Sequence, residues 1–292
     1  MKQPHSPPTD AGRVIDTYCV MGNPVEHSRS PWIHTRFATL TGQSIRYTRR
    51  LVPLDDFVGQ VNAFRAEGGS GCNVTVPFKF QAAALADRIS DRATLAGACN
   101  VLHVVGNELH GDNSDGIGLV RDLTLNAGVD LAGRDILLIG AGGAAAGVLG
   151  PLLQCGPRRV VVANRTLARA QALVQTHLDL AALHKAELLA SDLRALGADF
   201  DLILNSSASS LTGDSVPVPA STLRAGSLAC DLMYGPSAEG FLTWATEHGA
   251  RGRDGLGMLV EQAGEAFEIW RGVRPPTAQV LTELRELLGQ PA

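Results

Sequence analysis

The segment Asp135-Ile-Leu-Leu-Ile-Gly140-Ala141-Gly142-Gly143-Ala144-Ala145-Ala-Gly147 limits the fold more than any other stretch of the chain. It reads as a buried strand, a glycine turn and the start of a helix, the setting a dinucleotide pyrophosphate requires. Gly140 permits the tight turn, Gly142 lets backbone approach the phosphates without a Cβ, and Ala145 lets the helix pack on the strand with its amino end toward the anion. A glycine run alone is weak evidence, but a second strand follows it, Arg159-Val-Val-Val-Ala163. That strand ends at Asn164-Arg165-Thr166, where an NAD-preferring fold usually carries an acidic residue for the ribose hydroxyl. Arg165 suits a 2'-phosphate instead, so the residues favour NADP.

The 292 residues suffice for two domains with cores, and 45% hydrophobic with 18% charged residues is globular composition. A net charge of -4 without a Lys/Arg run excludes a nucleic-acid footprint and a polybasic membrane anchor, which leaves small molecules as ligands. Met1 to Thr9 is Pro-rich without an apolar core. It is expected to be a loose tail, neither signal peptide nor membrane span, which makes the expected location cytoplasmic. Five cysteines without C-x-x-C and eight histidines without ligand spacing read as buried free thiols and no metal site.

Apolar runs alternate with helix-like stretches along the whole chain, which gives an α/β fold with a βαβ-type domain over 13–116, a Rossmann-type nucleotide domain over 117–254 and helices over 255–292. Strand-like runs before the glycine loop are Tyr18 to Met21 and Cys72 to Val76, with helices predicted from Trp32 to Leu40 and Gln81 to Ile89. After it, strands are expected at Ile136–Ile139, Val160–Ala163, Leu202–Leu204 and Leu228–Leu232, with helices at Ala144–Gln154 and Leu167–Thr176. Met258, Leu259, Ala263, Ala266, Phe267 and Trp270 form one helical stripe, predicted to fold back onto the first domain.

Several polar residues stand out against this background. Ser28-Arg-Ser30-Pro31 opens the Trp32 helix. Capping accounts for Ser30 but not for Ser28 or the Gly22-Asn-Pro-Val-Glu-His27 turn, whereas a carboxylate at the helix amino end uses both hydroxyls; the residues alone leave both readings open. In Asn73-Val-Thr75-Val-Pro77-Phe-Lys79 the alternation sends Asn73 and Thr75 to one face of a strand and Val74 and Val76 to the other. Lys79 is either a solvated lysine or, in a cleft beside a cofactor, the group that passes a proton to or from a substrate hydroxyl. A carboxylate to hold it is Asp115, in the turn-rich Gly111-Asp-Asn-Ser-Asp115-Gly116, with Asp112 as competitor; both also fit simple turn residues. Asn100 either donates to a substrate hydroxyl or closes a turn. Gln262 interrupts the apolar stripe of the last helix, where a buried amide needs partners. Tyr234, just past the Cys230-Asp-Leu-Met strand, is a packing aromatic or a polar tip at a strand end.

Taken in order, Gly22-Asn-Pro, Ser28-x-Ser30-Pro, Asn73-Val-Thr75-Val-Pro-Phe-Lys79, Asn100-Val-Leu, Asp112-Asn-Ser-Asp115-Gly, Gly140-Ala-Gly-Gly-Ala, Asn164-Arg165-Thr166 and Asp254-Gly-Leu-Gly-Met258-Leu-Val-x-Gln262 resemble the shikimate dehydrogenase family over nearly the whole chain beyond residue 17. The resemblance implies an NADP-linked, reversible reduction of 3-dehydroshikimate to shikimate in aromatic amino-acid biosynthesis, by a monomer or homodimer. It implies Lys79 and Asp115 as the catalytic pair, Lys79 moving the proton. Ser28, Ser30 and Tyr234 are then expected at the substrate carboxylate, and Asn73, Thr75, Asn100, Asp115 and Gln262 at the ring hydroxyls. Gly140, Ala141, Gly142, Gly143, Ala144 and Ala145 are expected at the pyrophosphate, Asn164, Arg165, Thr166 and Arg169 at the 2'-phosphate, and Met233 and Gly255 elsewhere along the cofactor.

The chain departs from the family pattern at Ser114 (commonly threonine), at Ser206-Ser-Ala-Ser209, at Glu239-Gly240 and at Ala145-Ala146, where Ser-Arg is common. Two rivals follow from the same resemblance. A quinate/shikimate dehydrogenase often accepts NAD, and Arg165 argues against it. A non-catalytic ligand sensor of this fold has no need of both Lys79 and Asp115.

Overall fold

Short β-branched runs and the helices between them build two six-stranded sheets in the computed structural model, which describes residues 15–207 and 218–290. The first half of the chain runs β1 (Asp16–Gly22), α1 (Ser30–Thr41), β2 (Ile45–Leu51), α2 (Phe57–Ala66), β3 (Gly69–Val74), α3 (Lys79–Leu85), β4 (Arg88–Ile89), α4 (Asp91–Ala96), β5 (Val101–Val105) and β6 (Glu108–Asp112). Its sheet has the order β2-β1-β3-β5-β6-β4. β1 pairs parallel with β2 and β3, whereas β5 runs antiparallel to β3 and β6. The domain is therefore a mixed sheet rather than a plain βαβ repeat. Gly106-Asn107 makes the hairpin between β5 and β6, with Gly106 at φ 61°.

α5 (Asp115–Arg121) continues through one π turn, Asp122–Asn126, into the second half. There β7 (Asp135–Ile139), α6 (Gly143–Gln154), β8 (Arg159–Ala163), α7 (Leu167–Gln175), α8 (Leu178–Leu183), β9 (Glu187–Ser191), β10 (Phe200–Asn205), β11 (Leu223–Asp231), α9 (Pro236–Glu247) and β12 (Arg251–Arg253) precede α10 (Leu256–Arg271) and α11 (Thr277–Leu287). The sheet order β9-β8-β7-β10-β11-β12, parallel throughout, is the doubly wound arrangement whose direction reverses between β7 and β10. Both its faces are covered. Ile136, Leu138, Val160 and Leu204 pack under Val148, Leu149 and Leu152 of α6, and Leu137, Ile139, Val161 and Ile203 under Phe241 and Ala245 of α9.

The last helices return to the first sheet. Leu256, Val260, Ala263 and Phe267 of α10 and Val280 and Leu284 of α11 enclose Ile33 and Phe37 of α1, and Trp270 stacks on Tyr18 at 4.6 Å between ring centres. No helix among the described residues is long and apolar enough to cross a membrane.

Local expectations shift in four places. Helix α3 spans 79–85 rather than 81–89, because β4 begins three residues later. β3 stops at Val74, and Val76, expected opposite Thr75 in a strand, is 56% exposed. Ser30 is the first residue inside α1, not its cap: Arg29 holds the cap position and no side chain caps the helix. β2, β9 and β12 extend the sheets beyond the runs read from sequence. Of the five cysteines, four are buried and Cys155 is half-buried, and all are free thiols.

Candidate active site

Helices α5, α6 and α10 meet at backbone contact between the two sheets. A Cβ at Gly116 would lie 2.5 Å from the Gly147 carbonyl oxygen, and one at Gly118 2.7 Å from the Gln262 backbone nitrogen. Only glycine allows this approach, and it brings Asp115, the amino end of α6 and Gln262 together.

At that junction Lys79 Nζ donates to Asp115 Oδ2 at 2.5 Å, with the two side chains 14% and 6% exposed. Asn100 Nδ2 donates to Asp115 Oδ1 (2.7 Å) and Gln262 Oε1 (3.1 Å), and Gln262 Nε2 to the Leu259 carbonyl (3.1 Å). Asn100 Oδ1 accepts from the Ser114 amide (2.8 Å), and Asn113 Oδ1 accepts from the Asp115 amide (3.1 Å). Asp112 is excluded as the lysine's partner: its carboxylate takes a two-pronged bond from Arg92 (2.7 and 2.8 Å) and one from Ser90 (2.5 Å). The lysine pair also borders the glycine turn. A Cβ on Gly143 would sit 3.5 Å from Lys79 Cβ, and one on Gly147 3.1 Å from Asp115 Oδ2.

Asn73 continues this polar wall, its Nδ2 donating to the Asn100 carbonyl at 3.2 Å and its Oδ1 accepting from the Tyr47 hydroxyl at 2.7 Å. Thr75, half-buried, lies where its methyl abuts Gly22, and its amide bonds the Met21 carbonyl. Ser28 Oγ donates to Ser30 Oγ (3.2 Å), so the two serines face each other, with Ser30 buried. Tyr234 lies beside the Arg29 backbone between them; burial pushes its phenol up while Arg29 opposes. Sequence reasoning missed Tyr47, Asn113 and His34. Tyr47 is the one position of β2 that is buried, and nothing in Ile45-Arg-Tyr-Thr-Arg-Arg-Leu51 marks it above the apolar Ile45 and Leu51.

His34 stacks on Tyr47 with ring centres 4.2 Å apart, and neither ring nitrogen has a hydrogen-bond partner among the described residues. Burial pulls its imidazole from 6.5 down to about 3, the nearby Asn73 side chain opposing weakly. Below pH 6.5 the unfolded chain takes up a proton at His34 that the folded chain refuses until near pH 3. The contribution is therefore complete above pH 6.5 and is lost at about 1.4 kcal/mol per pH unit as pH falls through that window. Urea unfolding of the wild type at pH 7 and pH 5 should show an acid loss about 2 kcal/mol greater than in His34→Gln; equal acid sensitivity in the two proteins refutes it.

On the opposite side, the strand ends Ala163, Ile139, Asn205 and Asp231 stand in register across the parallel sheet, as the switch-point rule for ligands requires. Gly140 has φ 111°, and its Cβ position is 2.6 Å from Ser206 Oγ, so glycine alone fits there. Among the described residues, Gly142 caps α6 without a side-chain bond and with nothing within 4 Å of its Cβ position, which leaves the helix amino end open to an anion. Ala141, Gly143 and Ala144 line this turn, and Ala145 is fully buried. Arg165, Thr166 and Arg169 are exposed, and among the described residues neither arginine has an ion pair; Asn164 Nδ2 bonds the Thr166 carbonyl at 2.9 Å. The Gly255 amide bonds the Met233 carbonyl at 2.8 Å, placing both at the seam between the nucleotide sheet and α10.

Three family models match: the shikimate dehydrogenase substrate binding domain over 20–102, shikimate / quinate 5-dehydrogenase over 122–212 and the shikimate 5'-dehydrogenase C-terminal domain over 255–285. A protein of Acidovorax sp. (strain JS42) named shikimate dehydrogenase (NADP(+)) is 68% identical over 270 residues, 92% of this chain and 96% of its own. The chain belongs to the shikimate dehydrogenase family. Among solved structures, an Ael1 enzyme from Pseudomonas putida superposes with a TM-score of 0.84 at 47% identity, covering 92% of this chain and 98% of that one. Shikimate 5-dehydrogenase from Thermus thermophilus, in complex with NADP(H) and shikimate, gives 0.81 at 30%, covering 93% and 99%. Against the family pattern, Ser114 keeps its hydroxyl in use, donating to Asn100 Oδ1 (3.2 Å) and Gln262 Oε1 (3.3 Å). Ser206 Oγ bonds the Ile139 carbonyl at 2.7 Å, while Ala208 and Ser209 lie outside the described residues. Glu239 and Gly240 are exposed on α9.

Proposed function

We propose that this protein catalyses the NADPH-dependent, reversible reduction of 3-dehydroshikimate to shikimate, a step of the shikimate pathway to chorismate and the aromatic amino acids. The reading rests above all on the Lys79–Asp115 pair standing against the glycine turn, a proton-transfer group and its carboxylate beside a pyrophosphate site. The relatives named shikimate dehydrogenase (NADP(+)) support it.

In this reading residues 13–116 bind substrate, 117–254 the dinucleotide, and 255–292 close the substrate side. The uncapped amino end of α6, with Gly140 to Ala145, fits a pyrophosphate. Asn164, Arg165, Thr166 and Arg169 fit the 2'-phosphate, with Met233 and Gly255 along the rest of the cofactor. When bound, NADPH supplies the hydride. Ser28, Ser30 and Tyr234 hold the substrate carboxylate; Asn73, Thr75, Asn100 and Gln262 hold the ring hydroxyls and fix the ring's orientation. Asp115 bonds the reacting oxygen and keeps Lys79 beside it, and Lys79 gives that oxygen its proton as the carbonyl becomes an alcohol. In the oxidative direction Lys79 takes the proton back. The retained pair opposes a sensor role, and we place the enzyme in the cytoplasm as a monomer or homodimer. NADPH oxidation with 3-dehydroshikimate, run beside quinate oxidation with NAD and NADP, tests the reading; turnover of quinate alone overturns it.

Cofactor choice gives a separate prediction. A guanidinium makes forked, charge-assisted bonds to phosphate and stacks on adenine, and NAD retains only the stacking. Arg165→Ala should reduce the NADP preference about ten- to a hundredfold with little change in NAD kinetics, and Arg165→Ala/Arg169→Ala should reduce it further. Steady-state kinetics with both cofactors decide, and an undiminished preference in the double variant refutes the assignment.

A further inference from the structure

Tyr47 is one of three tyrosines in the chain, and it is buried inside the substrate half. Its hydroxyl donates to Asn73 Oδ1 at 2.7 Å. The ring is fixed by His34 on one side, parallel within 3° at 4.2 Å, and by Trp270 at 6.3 Å. Neither flanking ring offers the phenol a competing partner.

The Asn73 amide is thereby held in one orientation. Its Nδ2 points to the Asn100 carbonyl and its Oδ1 to Tyr47, so an exchange of its nitrogen and oxygen would break both bonds at once. One amide proton and one lone pair remain for a ligand.

We infer that Tyr47 is a positioning residue that holds the Asn73 amide in one orientation, and so sets how the site recognises a substrate's ring hydroxyl. The inference rests on the functional reading above, in which Asn73 binds a ring hydroxyl of shikimate. Burial holds the Tyr47 phenol well above its ordinary pKa, so it remains a donor at every pH where the protein is folded.

The test is Tyr47→Phe, which keeps the ring stack and removes one oxygen. It should raise KM for shikimate about five- to thirtyfold, with kcat lowered less and KM for NADP+ unchanged. In an Asn73→Ala background the same substitution should add less than about twofold, because the bond it removes is already gone. Additive effects of the two substitutions, or an unchanged KM in Tyr47→Phe, overturn the inference while wild-type turnover of shikimate leaves the functional reading standing. Absence of wild-type turnover sinks that reading instead. Should Tyr47→Phe not fold, tyrosine labelled with carbon-13 at Cζ in the wild type gives the readout. The Tyr47 resonance, assigned against Tyr18→Phe and Tyr234→Phe, is expected to shift on adding shikimate and not on adding NADP+ alone; a resonance unmoved by shikimate refutes the positioning role.

Discussion

Replacing Lys79 by alanine is expected to lower turnover of 3-dehydroshikimate by about 10²- to 10⁴-fold, the range a positioned general acid contributes. Folding should survive. Lys79 opens a seven-residue helix and among the described residues its head group bonds Asp115 alone, and after its removal Asp115 still accepts from Asn100 at 2.7 Å. NADPH affinity should be unchanged, since only the aliphatic part of Lys79 borders the glycine turn. Asp115→Asn should also damage turnover, and the double variant should be hardly worse than either single one, because the pair acts as a unit. Turnover of Lys79→Ala within about threefold of the wild type would remove the lysine from the mechanism.

The largest expected effect on stability lies away from the chemistry, at Asp122. Its carboxylate is 0% exposed and takes two bonds from Arg253, at 2.7 and 2.5 Å, and one from Asn126 at 3.0 Å. Arg253 ends the edge strand β12, and Asp122 opens the π turn that follows α5, so the pair ties the nucleotide sheet to the helix carrying Asp115. Arg253→Met should cost about 3–5 kcal/mol in urea unfolding, because it strands a buried charge. Asp122→Asn combined with Arg253→Met should recover part of that loss, since no unpaired charge remains. Equal stability of Arg253→Met and wild type would show that the pair contributes nothing net.

Much of this protein was written locally in its sequence, and the parts that were not share a cause. The glycine turn after β7 was legible because each step is a short-range requirement: a strand buried on both faces, φ 111° at Gly140, and an uncapped helix start at Gly142. The return of α10 was legible from its apolar stripe, and the odd standing of Gln262 within it from the cost of burying an amide without partners. The hairpin at Gly106-Asn107 was legible too and was passed over, since two runs separated by a Gly-x pair are a hairpin signal. The edge strands were harder: Arg251–Arg253 has no apolar side chain at all, and only pairing with β11 makes it a strand.

The site divides along the same line. Sequence alone brought forward Lys79, Ser28, Ser30, Asn73, Asn100 and Gln262 as candidates, Gln262 because it interrupts an apolar stripe, and the family resemblance gave them their roles. It put Asp115 forward with Asp112 as competitor, as two carboxylates of one turn differ only in what approaches them. Tertiary structure separated them by placing Arg92 on Asp112 and Lys79 on Asp115. Tyr47 and His34 were likewise hidden, since each is an ordinary element residue until α1, β2 and β3 fold together. Sequence determined which backbones bend, bury and alternate, a matter of a few neighbouring residues. Which polar atoms meet across 26 to 162 residues of chain was decided only when α5, α6 and α10 closed at glycine contact, because a hydrogen bond depends on distances that no local pattern specifies.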